Sequence, residues 1–204
     1  MNVLVVYCHP GRKSFTRQIL ESLVDGLKSA NHTVVISDLY ANGFQTDMSE
    51  AEYAREIGAG GEVAEDVVRE QEKIEQAECV IFVYPLWWSD CPAKLKGWFD
   101  RVFCRGYAYG YDSNGNRQIG MKKQKLGLLI CTAGYSKEHL EEIGIAESMR
   151  KVMIDDRLGQ RFERKELIIL GGTIEIDKVR EHHLSTVREL GKNLNKLLDA
   201  SEGV

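Results

Sequence analysis

Short, uninterrupted apolar runs constrain this chain more than any other feature. Residues 3–7, 79–84 and 126–131 lack the polar alternation of a strand with one wet face, so each fits a strand buried on both sides. Residues 34–36 and 167–170 are shorter runs of the same kind. Between them the spacing turns helical: after Ser14, the apolar positions Ile19, Leu20, Leu23, Val24 and Leu27 recur on one face. Further helical patterns cover residues 49–57, 62–77, 92–104, 139–158 and 178–198. Alternating strands and helices predict an α/β fold, a five-stranded parallel sheet with helices on both faces, doubly wound in the order 2-1-3-4-5.

At 204 residues, 43% hydrophobic and 28% charged, the chain reads as a single domain over residues 1–204. Its net charge of −4 and scattered basic residues argue against a nucleic-acid partner. The start has no basic region followed by a signal-like apolar run, and no stretch approaches the ~18 apolar residues of a membrane span, so no membrane insertion and a cytoplasmic location are expected. Five cysteines without Cys-x-x-Cys spacing read as reduced core thiols. No metal site is expected. Residues 112–116 resemble the opening of a calcium loop, but Arg117 stands where glycine is needed and Lys123 where the closing glutamate belongs, which makes the segment a turn. His182 and His183 lie in a charged stretch and read as solvated.

A doubly wound sheet binds ligands beyond the carboxyl ends of its strands, where the winding reverses. That places loops 8–16, 85–91 and 132–138 together. The first offers His9, Arg12, Lys13, Ser14 and Thr16 at a helix start, a suitable place for a phosphate, although Ser14 as a plain cap accounts for it equally well. It is neither Gly-x-Gly-x-x-Gly nor a Walker loop, so a phosphate-bearing flavin is the better candidate. The second contains Trp87 and Trp88, rings able to wall a flat ligand or simply to pack. The third, Thr132-Ala133-Gly134-Tyr135-Ser136, is small and donor-rich, open to close backbone approach by a ligand, although in isolation an ordinary strand-to-helix turn accounts for it.

Two motifs carry a family resemblance: His9-x-x-x-x-Ser14-Phe15-Thr16, and the stretch from Tyr84-Pro85-Leu86-Trp87-Trp88 through Pro92-Ala93-x-Leu95-Lys96-Gly97-Trp98-Phe99-Asp100-Arg101. By these the chain resembles the NAD(P)H:quinone oxidoreductases of the flavodoxin-like superfamily over residues 3 to about 172. The resemblance implies a homodimer that passes hydride from NAD(P)H to FAD, or alternatively FMN, and then to a quinone in ping-pong fashion. It implies that His9, Ser14, Phe15 and Thr16 hold the phosphate side of the flavin, that Pro85, Leu86, Trp87, Trp88 and Ser89 hold the isoalloxazine, and that Thr132, Ala133 and Gly134 meet its pyrimidine edge. Tyr109 and Tyr111 match aromatic positions that reach the substrate pocket of the partner subunit.

The animal members place a tyrosine and a histidine after the third loop, whereas here those positions fall near His139 and Ala146. His139 is therefore the candidate acid or charge stabiliser. Two other functions fit the same fold: a flavin-binding ancillary subunit of a membrane transporter, and a flavodoxin-type electron carrier. The aromatic loop favours the enzyme, because a carrier needs an exposed flavin edge and no substrate slot.

Overall fold

The computed structural model describes residues 1–111 and 114–199, so Asp112 and Ser113 of the calcium-like turn lie outside the described residues. Strands β1 (Asn2–Tyr7), β2 (Thr33–Asp38), β3 (Cys79–Pro85), β4 (Gln124–Thr132) and β5 (Phe162–Leu170) form one parallel sheet in the order β2-β1-β3-β4-β5. The winding reverses between β1 and β3, as the sequence predicts. Side chains alternate along β1. Val3, Val5 and Tyr7 join Ile19, Leu20, Leu23 and Val187, while Leu4, Val6 and Cys8 join Phe82, Trp98, Phe99 and Leu129. Both faces are thus dry, which is why these strands carry no polar alternation.

Helices α1 (Phe15–Ser29) and α7 (Ile176–Lys192) cover the first face. The second is covered by α3 (Glu65–Gln76), α4 (Ala93–Val102), α5 (Lys137–Glu142) and α6 (Ile145–Met149). Two short helices, α2 (Glu50–Glu56) and α8 (Leu194–Asp199), complete the set. Buried Arg101 of α4 ties that second layer together. Its guanidinium donates to Glu52 at 2.7 Å, to both oxygens of Asp66 at 2.6 and 2.9 Å, and to the Gln45 carbonyl at 2.8 Å.

Three elements differ from the sequence reading. β5 begins five residues earlier, at Phe162; it is an edge strand whose first half is only partly covered, so it tolerates Glu163, Arg164, Lys165 and Glu166. The helix expected over 139–158 is broken at Gly144, whose φ of 75° starts a new helix, and then widens into a π-helical segment, Arg150–Leu158. The last helix starts at Ile176 and is interrupted at Asn193. All five cysteines are free and buried. Among the described residues, no helix is long and apolar enough to cross a membrane.

Candidate functional site

The carboxyl ends of β1, β3 and β4 bring the three loops into contact. Cys8 N–H donates to Val83 O at 3.0 Å and Leu86 N–H to Thr132 O at 2.7 Å, so strand pairing continues one residue into each loop. The Thr16 and Thr132 hydroxyls meet at 2.8 Å, buried, and join the first loop to the third. The rings of His9 and Trp87 lie 5.9 Å apart and join the first to the second.

The first loop ends at a helix start with amides turned outward. Ser14 caps α1 by accepting from Arg17 N–H at 3.1 Å, which leaves the Phe15 and Thr16 N–H groups without an acceptor among the described residues. No acidic side chain occupies the first turn of this 15-residue helix, and Arg12 and Lys13 are exposed beside it. His9 Nδ1 accepts from Gly11 N–H at 2.9 Å, and burial pushes its pKa below the ordinary histidine value. The ring is consequently neutral at pH 7, with Nε2–H left as a donor.

The second loop is a tight turn. Trp87 N–H donates to Asp90 O at 2.9 Å and Asp90 N–H to Trp87 O at 3.2 Å. The two residues between, Trp88 and Ser89, have φ of 51° and 66°, the left-handed region that Asn-Gly normally supplies in such turns. Trp88 is fully exposed at 101%, and the N–H groups of Trp88 and Ser89 face no acceptor among the described residues.

In the third loop the carbonyls are turned toward the residues after β5. Ala133 O accepts from Thr173 N–H and Oγ1, Gly134 O from Ile174 N–H and Tyr135 O from Gly172 N–H, at 2.9–3.3 Å. The Gly134 and Tyr135 N–H groups have no acceptor among the described residues. A methyl on Gly134 would touch only Ile174, so any need for glycine here comes from the open side of the loop.

The structure thus brings together His9, Ser14, Phe15, Thr16, Pro85, Leu86, Trp87, Trp88, Ser89, Thr132, Ala133 and Gly134. His139 stands at the edge of this group, exposed in the first turn of α5, with its ring 5.1 Å from Tyr135 and its N–H donated to Ser136 Oγ at 3.2 Å. Tyr109 and Tyr111 are not part of it. They border a separate cavity with Phe99, Phe103, Arg117 and Arg157, and the Tyr109 hydroxyl donates to the Glu56 carboxylate. Burial, reinforced by Glu56, pushes the Tyr109 pKa up to about 12.

Four side chains escaped sequence reasoning. His183 is half-buried, donating Nε2–H to Gly171 O at 2.8 Å, with its ring 6.2 Å from that of Phe15; it is not the solvated residue its charged neighbours suggest. Arg180 sits over the Phe15 ring at 5.8 Å and donates to Gln18 at 2.7 Å. Tyr135 falls in the third loop as read from the sequence, but nothing there gave its side chain a role of its own; its ring lies 5.1 Å from that of His139. Arg157 clasps Asp90 at 2.8 and 3.0 Å from 67 residues away, with no local pattern to announce it.

The flavodoxin-like fold family matches residues 1–158. A solved NAD(P)H:quinone oxidoreductase from Methanothermobacter marburgensis is 46% identical and superposes with a TM-score of 0.89, covering 95% of this chain and 98% of its own. Mouse ribosyldihydronicotinamide dehydrogenase [quinone] is 35% identical over 163 residues, 72% of this chain and 70% of that protein. Rat NAD(P)H dehydrogenase [quinone] 1 is 34% identical over 165 residues, 74% of this chain and 60% of that protein.

Proposed function

The chain belongs to the flavodoxin-like family and is an NAD(P)H dehydrogenase (quinone), and we propose from that premise that it seats a flavin across the three loops and passes hydride from NAD(P)H to a quinone in ping-pong fashion. One observation carries the reading: N–H groups of Phe15, Thr16, Trp88, Ser89, Gly134 and Tyr135, without acceptors among the described residues, gather at the carboxyl end of the sheet beside two exposed tryptophans. Such a set suits a planar heterocycle with several acceptor atoms and a phosphate tail.

In this reading the α1 amides, His9, Ser14 and Thr16 offer hydrogen bonds that orient phosphate. The Pro85–Ser89 backbone follows one ring edge, and Thr132, Ala133 and Gly134 meet the pyrimidine edge. Bound flavin supplies the two-electron chemistry, while the chain supplies placement and electrostatics. Trp87 and Trp88 wall a flat slot that nicotinamide and quinone occupy in turn. Tyr109 and Tyr111 serve the slot of a second copy, which makes the enzyme a homodimer, and we place it in the cytoplasm. FAD is favoured over FMN by Phe15, Arg180 and His183, which offer an aromatic face and a cation beyond the first phosphate position.

Purified protein is expected to be yellow, or to become so with FAD or FMN. A colourless protein that takes up neither would end the flavin reading. Initial rates with NADH, NADPH or ribosyldihydronicotinamide against a benzoquinone should give parallel double-reciprocal lines; intersecting lines would exclude the shared slot.

His139, on this proposal, offsets negative charge that develops near the flavin. His139→Ala should slow stopped-flow flavin reduction about tenfold or more. An unchanged rate would leave the residue with only its place at the start of α5.

A further inference from the structure

We infer that the Asp90–Arg157 ion pair is a latch that holds the strained Trp87–Asp90 turn in the shape a flavin edge requires, a role that rests on the flavin reading above. The two backbone hydrogen bonds between Trp87 and Asp90 that close the turn work against its own conformation. Trp88 and Ser89 both lie in the left-handed region, which strains non-glycine residues and persists only where neighbours over-determine it. The Trp88 ring, fully exposed, contributes no packing that would fix it. Beyond those bonds and the His9–Trp87 ring contact, the side chain that ties the turn to the rest of the fold is that of Asp90, its last residue.

The Asp90 carboxylate accepts from Cys91 N–H at 2.7 Å and meets both terminal nitrogens of Arg157, at 2.8 and 3.0 Å. This two-pronged geometry fixes orientation as well as distance. Arg157 is itself held independently of the turn: its guanidinium lies over the Phe99 ring at 5.5 Å and beside Cys91 Sγ at 3.4 Å, and its side chain is only 11% exposed. It issues from the π-helical segment, a geometry that recurs at functional sites. The Arg157 carbonyl accepts from Arg161, whose Nη1 donates to Ala108 O at 3.0 Å, next to Tyr109. One chain of contacts therefore runs from the aromatic turn to the segment bearing Tyr109 and Tyr111.

Asp90 is a positioning residue in this scheme, and so is Arg157. Because the Asp90 side chain is 45% exposed, solvent screens the pair, and its effect on global stability is correspondingly small. The effect falls on the shape of the turn.

The test uses Asp90→Asn, Arg157→Met and Arg157→Lys in the full chain, read by near-ultraviolet circular dichroism of the flavin-free protein, FAD affinity, flavin midpoint potential and Tm. Asp90→Asn and Arg157→Met should each weaken FAD binding about tenfold or more and alter the tryptophan dichroism, with Tm changing by no more than about 3 °C. The double variant should be no weaker than either single one, since both remove the same contact, and Arg157→Lys should recover part of the affinity. Should Arg157→Met fail to fold, Asp90→Asn still decides, because its amide oxygen keeps the Cys91 hydrogen bond. Variants that bind FAD like the wild type, with unchanged dichroism, overturn the latch and leave the flavin reading standing. A wild type that binds no flavin overturns both.

Discussion

Replacing Arg101 with methionine is expected to lower the unfolding free energy by about 3–5 kcal/mol at pH 7. The guanidinium is buried and joins α2, α3 and α4 through Glu52, Asp66 and the Gln45 carbonyl, while stacking 5.2 Å from Phe44. Methionine refills much of the volume, so the cost lies mainly in stranding two carboxylates. Glu52, only 3% exposed, would keep its bonds to Ser49 but lose its counter-charge. The pH dependence follows from the same contacts. Hydrogen bonding to Arg101 holds Asp66 below its ordinary pKa; for Glu52, burial pushes upward but the Ser49 and Arg101 bonds outweigh it. Both folded values are depressed, so their stabilisation is complete above the unfolded carboxylate pKa and is lost as pH falls through the folded ones. The gap between wild type and Arg101→Met should therefore be widest near pH 7 and narrow below about pH 4. Urea titrations at several pH values measure it, and a gap under about 1 kcal/mol at pH 7 would refute the argument.

Legibility in the sequence followed burial at the centre of the sheet. β1, β3 and β4 are central strands covered on both faces, so every residue of their cores is apolar and the runs announce themselves. β2 and β5 are edges: in β5 the polar residues Glu163, Arg164, Lys165 and Glu166 hide the start of the strand, whereas in β2 the apolar run 34–36 is legible although Val35 and Ile36 are exposed and the buried position is Ser37. The loops were legible because topology alone places them together, and the contacts Thr16–Thr132 and His9–Trp87 follow from that placement.

Contacts between distant segments were not legible. Asp90 stands among aromatic and small residues, where sequence offers no reason to pair it with Arg157 rather than with water. His183 belongs to a run of charged residues that reads as a wet helix face. It is drawn against Phe15 only because α7 crosses α1 closely, and that closeness depends on two glycines that look helix-weakening in isolation.

Those glycines give the second large effect: Gly26→Ala should destabilise the protein by about 1–3 kcal/mol and impair the nucleotide end of the site. A methyl at Gly26 would overlap the Arg188 carbonyl oxygen, and one at Gly191 would stand 2.7 Å from that of Leu23. Both obstacles are main chain, so no side-chain rotation relieves them and α7 has to move away from α1. Alanine gains up to about 1 kcal/mol in helix propensity over glycine, which opposes the clash but does not match an overlap that displaces a whole helix. The movement also carries Arg180 and His183 away from Phe15. FAD, whose second nucleotide half is proposed to lie there, should lose affinity, whereas FMN, which on the same proposal ends at the first phosphate over the α1 amides, should lose little. Paired FAD and FMN titrations of Gly26→Ala separate the two halves of the site. Equal losses for both flavins would show that the last helix takes no part in holding the cofactor and would remove the ground for preferring FAD.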